Sequence, residues 1–176
     1  EKGLLQAYLT GPGTNDFSVK AGGALNVVPD AAPYSGEKIS EVKEALKKHG
    51  FDFEEQGEGI VVLGKSIHAK DAAQGVNAIS RLAIALSEVF DFGPINFLGK
   101  LVQENATGEA VVGKTEDEQS GELTMNFASL EITPEQTKIG VDMRIPVTFK
   151  KEDLVAKLTK TVEKYELSYE EFDFLD

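Results

Sequence analysis

Gly64-Lys-Ser-Ile-His68-Ala-Lys-Asp-Ala-Ala-Gln-Gly75-Val-Asn77-Ala78 carries the chain from strand to helix. Just before it, Ile60, Val61, Val62 and Leu63 form a short apolar run with glycines on both sides, the pattern of a buried strand. After it, Val76, Ile79, Ala83, Leu86 and Phe90 step by three, four, three and four, which is helical spacing. Asp71 and Gln74 stand at capping-box separation and predict where that helix begins. Asp91-Phe-Gly93-Pro94 stops it, because proline cannot continue a helical ladder.

Working outward toward the start, residues 4–9 and 17–21 read as strands, split by the turn cluster Thr10-Gly-Pro-Gly-Thr14. Gly11-Pro12-Gly13 is no dinucleotide fingerprint, since a third glycine and a following helix are missing. Residues 22–29 are expected as a strand ending at Pro29, and 30–36 as a loop. Ile39, Val42, Ala45, Leu46 and His49 predict a helix over 37–49, closed by Gly50. Phe51 and Phe53 alternate with acids ahead of a turn at Gly57-Glu-Gly59.

Toward the end, 95–104 is expected as a short helix and 105–120 as an acidic loop region. Its Glu116-Asp117-Glu118 run reads as solvated surface. Leu123, Met125 and Phe127 alternate, then Leu130 and Ile132 resume out of step, which predicts a strand with a bulge. Residues 138–146 alternate and form its hairpin partner across Thr133-Pro-Glu-Gln136. Leu154, Val155, Leu158, Val162 and Tyr165 predict another helix, and 167–174 a last strand. The sum is an α+β fold, a two-layer antiparallel sheet/helix sandwich. Its expected organisation is one domain over 1–176, with ferredoxin-like lobes at 1–104 and 121–176 joined by the acidic stretch.

Composition narrows the function. A net charge of −12 repels phosphate backbones and argues against nucleic acid as a partner. No stretch approaches the roughly 18 apolar residues of a membrane span. There is no cysteine, hence no disulfide framework and no thiolate metal site. The only histidines are His49 and His68, and no histidine–acid cluster stands at ligand spacing, so no metal or other cofactor is expected within these residues. The chain begins in a strand-like run without methionine or a secretory segment, which reads as a piece excised from a cytoplasmic protein, monomeric on its own.

Three motifs, in order, carry a resemblance. Gly64-x-x-x-His68-Ala69 with Gly75-x-Asn77-Ala78, Asn26-x-Val28-Pro29, and Asp142-x-Arg144-x-Pro146 together resemble the lid or dimerisation domain of the M20 metallopeptidases. Ala72 departs from the family, which often carries proline there. The second strand–helix–strand block makes the chain most similar to the extended lid of PepV-type dipeptidases. The resemblance implies a dinuclear-zinc dipeptidase as parent, with its two zinc ions and general base on a catalytic domain outside these residues. That domain and a dipeptide substrate are the implied partners, and the isolated chain is expected to be inactive.

Within that resemblance, His68 is the candidate catalytic residue, a hydrogen-bond donor to the oxyanion of the transition state. Without it, His68 would read as a surface histidine near a helix start. Asn26 is a candidate to bind the substrate backbone or oxyanion, against the plainer reading of an Asn satisfying its own turn. Arg144 is a candidate to grip the substrate carboxylate with its fork, against a strand ion pair with one of the 30 acids. His49 reads as a helix C-terminal dipole partner, and Gly75 and Asn77 as structural. Asn105-Ala-Thr107 matches a glycosylation triplet by chance. Two other functions remain open: a non-catalytic ferredoxin-like module for dimerisation or small-ligand binding, and the lid of an M20 deacylase.

Overall fold

The computed structural model describes residues 1–176. Strands β1 (Gly3–Pro12), β2 (Val19–Gly22) and β3 (Ala31–Tyr34) come first, then α1 (Ile39–Lys48), β4 (Phe53–Gln56) and β5 (Gly59–Leu63). A 3-10 segment, Ala69–Gln74, leads into α2 (Ala78–Val89). Then come α3 (Gly93–Asn96), a π-helical turn over Phe97–Val102, α4 (Glu109–Val112) and a small hairpin of β6 (Glu116–Asp117) and β7 (Gly121–Glu122). The chain closes with β8 (Thr124–Ile132), β9 (Gln136–Ile145), α5 (Lys151–Glu163) and β10 (Ser168–Leu175).

Two antiparallel sheets carry the fold, one ordered β10-β1-β9-β8-β2 and the other β3-β5-β4. Strand alternation decides which face is dry. Leu5, Ala7 and Leu9 of β1 and Ile139, Val141 and Met143 of β9 are buried on one face. Helices cover the core, and α2 is its centre: Ile79, Leu82, Ala83 and Leu86 are completely buried. Each Leu or Ile buried this way contributes about 1.5–3 kcal/mol. The α+β sandwich read from the sequence is the architecture found.

The expected lobe boundary is not how the sheets divide. β1 and β2 lie before residue 104, yet they join β8, β9 and β10 in one sheet, with β1 between β10 and β9. One core cluster of 38 residues runs through both segments. An apolar strand such as β1 shows which face is buried but not which strand it will pair with. Its partners lie more than a hundred residues away.

Other local expectations shift for identifiable reasons. Only Gly22 of residues 22–29 is in a strand, as the end of β2; Val27 makes only a single bridge, to His68. The strand is β3 instead, where Pro33 is tolerated because β3 is at the edge of its sheet. The acidic stretch is no plain loop, since it holds α4 and β6. Helix α2 begins at Ala78, capped by Asn77, so Asp71 and Gln74 lie in the 3-10 segment before it. The bulge is present: Phe127 pairs with Val141 and Ser129 with Gly140, leaving Ala128 over.

Candidate functional site

The motif loop is closed at its base by backbone. Lys65 and Val76 exchange both of their hydrogen bonds, at 2.8 and 3.0 Å. This pairing explains two motif glycines. A Cβ on Gly64 would sit 2.2 Å from the Val76 carbonyl oxygen, and one on Gly75 would sit 2.9 Å from that of Lys65. Neither approach leaves room for a side chain.

His68 stands exposed at the start of the 3-10 segment. Its Nδ1 accepts a hydrogen bond from the Lys70 backbone N–H at 3.1 Å. An accepting Nδ1 carries no proton, so in the neutral ring the proton sits on Nε2. The cap therefore does two things: it satisfies a free N–H of the turn and presents Nε2–H as a donor.

Asn26 runs alongside. Its backbone carbonyl accepts from Ala69 N–H at 2.8 Å, and Val28 N–H donates to Ile67 at 2.9 Å. Val27 and His68 are bridge partners, and Asn26 precedes that bridge, in a turn closed by Val27 N–H on the Ala24 carbonyl at 3.3 Å. The Asn26 side chain is exposed, and the loop is bonded through its backbone. The reading of an Asn serving its own turn is not the arrangement found.

Arg144 is in β9, opposite Thr124 of β8 and Leu4 of β1. Its Nε donates to Asp142 Oδ1 at 2.7 Å and an Nη to Asp142 Oδ2 at 3.1 Å. Asp142 is 0% exposed and the Arg144 side chain 17%. The ion-pair reading is thus realised, but as a buried pair rather than a surface one. The fork is spent on Asp142, and the remaining guanidinium N–H groups are what Arg144 could offer a carboxylate.

A polar row joins these parts. Gln6, Asp142 and Asn126 are register partners across β1, β9 and β8. Gln6 donates to Asp142 Oδ2 at 2.9 Å. Asn126 Nδ2 donates to the carbonyls of Leu25 and Val27, on either side of Asn26. The 3-10 segment of His68 packs on β8 and β9. So the segments that carry His68 and Asn26 are bonded to each other, and the register pair Asn126 and Asp142 runs from them across the sheet toward Arg144.

Asn77 is structural, as expected. Its Oδ1 caps Ser80 N–H at 3.0 Å, and its Nδ2 donates to the Phe127 carbonyl at the bulge, 2.8 Å away. His49 caps the end of α1 and contacts Glu88, which also receives Lys48 at 2.5 Å. Asn105 uses its side chain internally, on Thr107 and Ala110. Asp117 is not idle surface. It accepts from the backbone N–H and hydroxyl of both Ser120 and Thr148 at 2.6–3.0 Å. Desolvation pushes its carboxyl up, but these donors together outweigh that and hold it well below the usual carboxylate range.

The residues do not fit a metal site. No group of three or more His, Cys, Asp or Glu side chains is arranged to hold an ion, and one ring nitrogen of His68 is taken by Lys70. No helix is long and apolar enough to cross a membrane. Two site residues escaped the sequence reading. Asp142 lies within the Asp142-x-Arg144-x-Pro146 motif, yet nothing in the sequence marks it as the clamp on Arg144. Asn126 left no trace, because a polar residue between Met125 and Phe127 is what an alternating strand with one wet face shows.

Residues 57–170 match the M20 peptidase dimerisation domain. The chain is 31% identical over 175 residues to "Putative dipeptidase YtjP" of Bacillus subtilis (strain 168), covering 84% of this chain and 37% of that protein. It is 25% identical over 167 residues to "Putative dipeptidase SH1171" of Staphylococcus haemolyticus (strain JCSC1435), covering 85% of this chain and 35% of that protein. The chain thus spans little more than a third of the length of these relatives.

Proposed function

Because this chain belongs to the M20 peptidase dimerisation domain family, we propose that it is the lid of a cytoplasmic dinuclear-zinc dipeptidase of the PepV type. The lid supplies His68, Asn26 and Arg144 to a catalytic domain outside these residues. Relatives named as dipeptidases, nearly three times as long, support a parent of that kind. The residues here do not fit a zinc site, so in this reading the zinc ions are held by the catalytic domain.

Hydrolysis of a peptide bond builds negative charge on the scissile carbonyl oxygen. A donor fixed before the reaction stabilises that charge without reorganising. The observation that carries the proposal is the His68 cap. Lys70 N–H occupies Nδ1 and leaves an exposed ring with its proton on Nε2. The ring needs no proton transfer to act; it only has to be brought to the oxygen. Asn26, on the segment bonded to the His68 loop and with an exposed side chain, orients the substrate backbone. Arg144, held by Asp142, faces the substrate's terminal carboxylate with its remaining N–H groups, which favours short peptides.

The test is His68→Ala in the full-length peptidase. Removing one such donor lowers kcat by about 10²- to 10³-fold, with zinc content unchanged. Loss of zinc, or turnover equal to the parent enzyme, would refute the assigned role.

A further inference from the structure

Asn126 is 2% exposed and sits in a strand whose neighbours, Met125 and Phe127, are core residues. Its Nδ2 donates to Leu25 O at 3.1 Å and to Val27 O at 3.0 Å. Only the amide NH2 can satisfy two carbonyls, so the orientation of the side chain is forced. Its Oδ1 is buried without a hydrogen-bond partner in the chain. An orphaned buried acceptor costs stability, so Asn126 is a poor choice for packing alone. What it does is hold the chain on both sides of Asn26, from a strand position opposite Asp142, the residue that holds Arg144.

We infer that Asn126 is a positioning residue: it clamps the 25–27 segment against β8, and so fixes both Asn26 and His68 relative to Arg144. The inference rests on the lid reading above for its functional consequence, but the clamp itself is independent of it. Asn26 O holds Ala69 N–H, and Ile67 O holds Val28 N–H. Release of the clamp therefore loosens the middle of the ribbon that carries His68, while Gly23 N–H on the Ala128 carbonyl and Ala78 N–H on the Pro29 carbonyl still hold the ends of the 23–29 segment. Phe127 O to Asn77 and the Lys65–Val76 pairing remain, so the helix start and the loop base stay in place.

Two variants test this. Asn126→Asp keeps the shape but turns the two donors into acceptors facing carbonyls. Asn126→Ala removes the clamp without burying a charge, and serves if the first variant does not fold. In this chain, amide hydrogen exchange at Val28 and Ala69 is expected to quicken by about tenfold or more, while β1 amides keep their protection; tenfold corresponds to the loss of about one net hydrogen bond. Unchanged exchange at both amides, or equal acceleration across the sheet, would overturn the clamp. In the full-length enzyme, Asn126→Ala should lower kcat/KM, and add nothing in a background that carries both Asn26→Ala and His68→Ala. Additive losses in that background would overturn positioning through these two residues. If His68→Ala alone leaves turnover intact, the lid reading fails, and the exchange result alone decides the clamp.

Discussion

The loop over residues 65–76 and the hairpin over 116–122 are both short, polar and tied to a sheet, yet they use their side chains in opposite ways. In the first, backbone does the holding: Lys65 with Val76, Asn26 with Ala69, Val28 with Ile67. His68 spends one ring nitrogen on its own turn and keeps the other. In the second, the side chain does the holding. Asp117 takes four donors from Ser120 and Thr148, and pins the hairpin to the turn before α5. A polar group saturated by its own fold has nothing left to offer a substrate. A polar group placed by other atoms does.

This contrast can be broken most severely at Asp142, which holds a candidate side chain as the backbone holds His68. Asp142→Ala leaves Arg144 unpaired in a site where it is only 17% exposed. Removing one partner of a buried pair costs about 3–5 kcal/mol, to be read from urea unfolding of this chain. A loss under about 1 kcal/mol, the range of exposed pairs, would show that the pair behaves as surface. Asn77→Ala comes next. It removes the cap on Ser80 and the tie to Phe127, and should cost about 1–2 kcal/mol, with α2 otherwise intact by circular dichroism.

The smallest effect belongs to the hairpin. The Asp117 carboxyl is held below its ordinary value of 3.8, so its stabilising contribution is complete above that pH and is lost as pH falls through the lowered value. Asp117→Asn should therefore melt earlier than the parent chain at neutral pH, with the gap closing as the solution is acidified. A gap that is constant or widens with acid would contradict the four-donor account. Melting temperature against pH is the measurement.

Much of the fold was legible before any coordinates. The β8 bulge showed as a slip between Phe127 and Leu130, because side chains alternate with a period of two and an extra residue breaks the count. Helices α1, α2 and α5 showed through their spacing. The strand at 31–34 did not, since Ala-Ala-Pro-Tyr carries no alternation and its proline suggests a loop. The start of α2 was misplaced because Asp71 and Gln74 mimic a capping box, while Asn77 makes the cap.

The site divides in the same way. His68, Asn26 and Arg144 stood out because the motifs around them have glycines, asparagines and prolines at fixed offsets, which are local constraints written in one stretch of chain. What those side chains are free to do was decided by hydrogen bonds that only the folded chain shows, two of them local and one long-range. Asp142 claims the Arg144 fork, Lys70 sets the His68 proton on Nε2, and Asn126 reaches across a hundred residues to the carbonyls of Leu25 and Val27. Period, caps and turn chemistry act over a few residues, so the sequence alone determines them. Strand partners and buried polar bonds depend on which distant segments meet, and only the tertiary structure decides that.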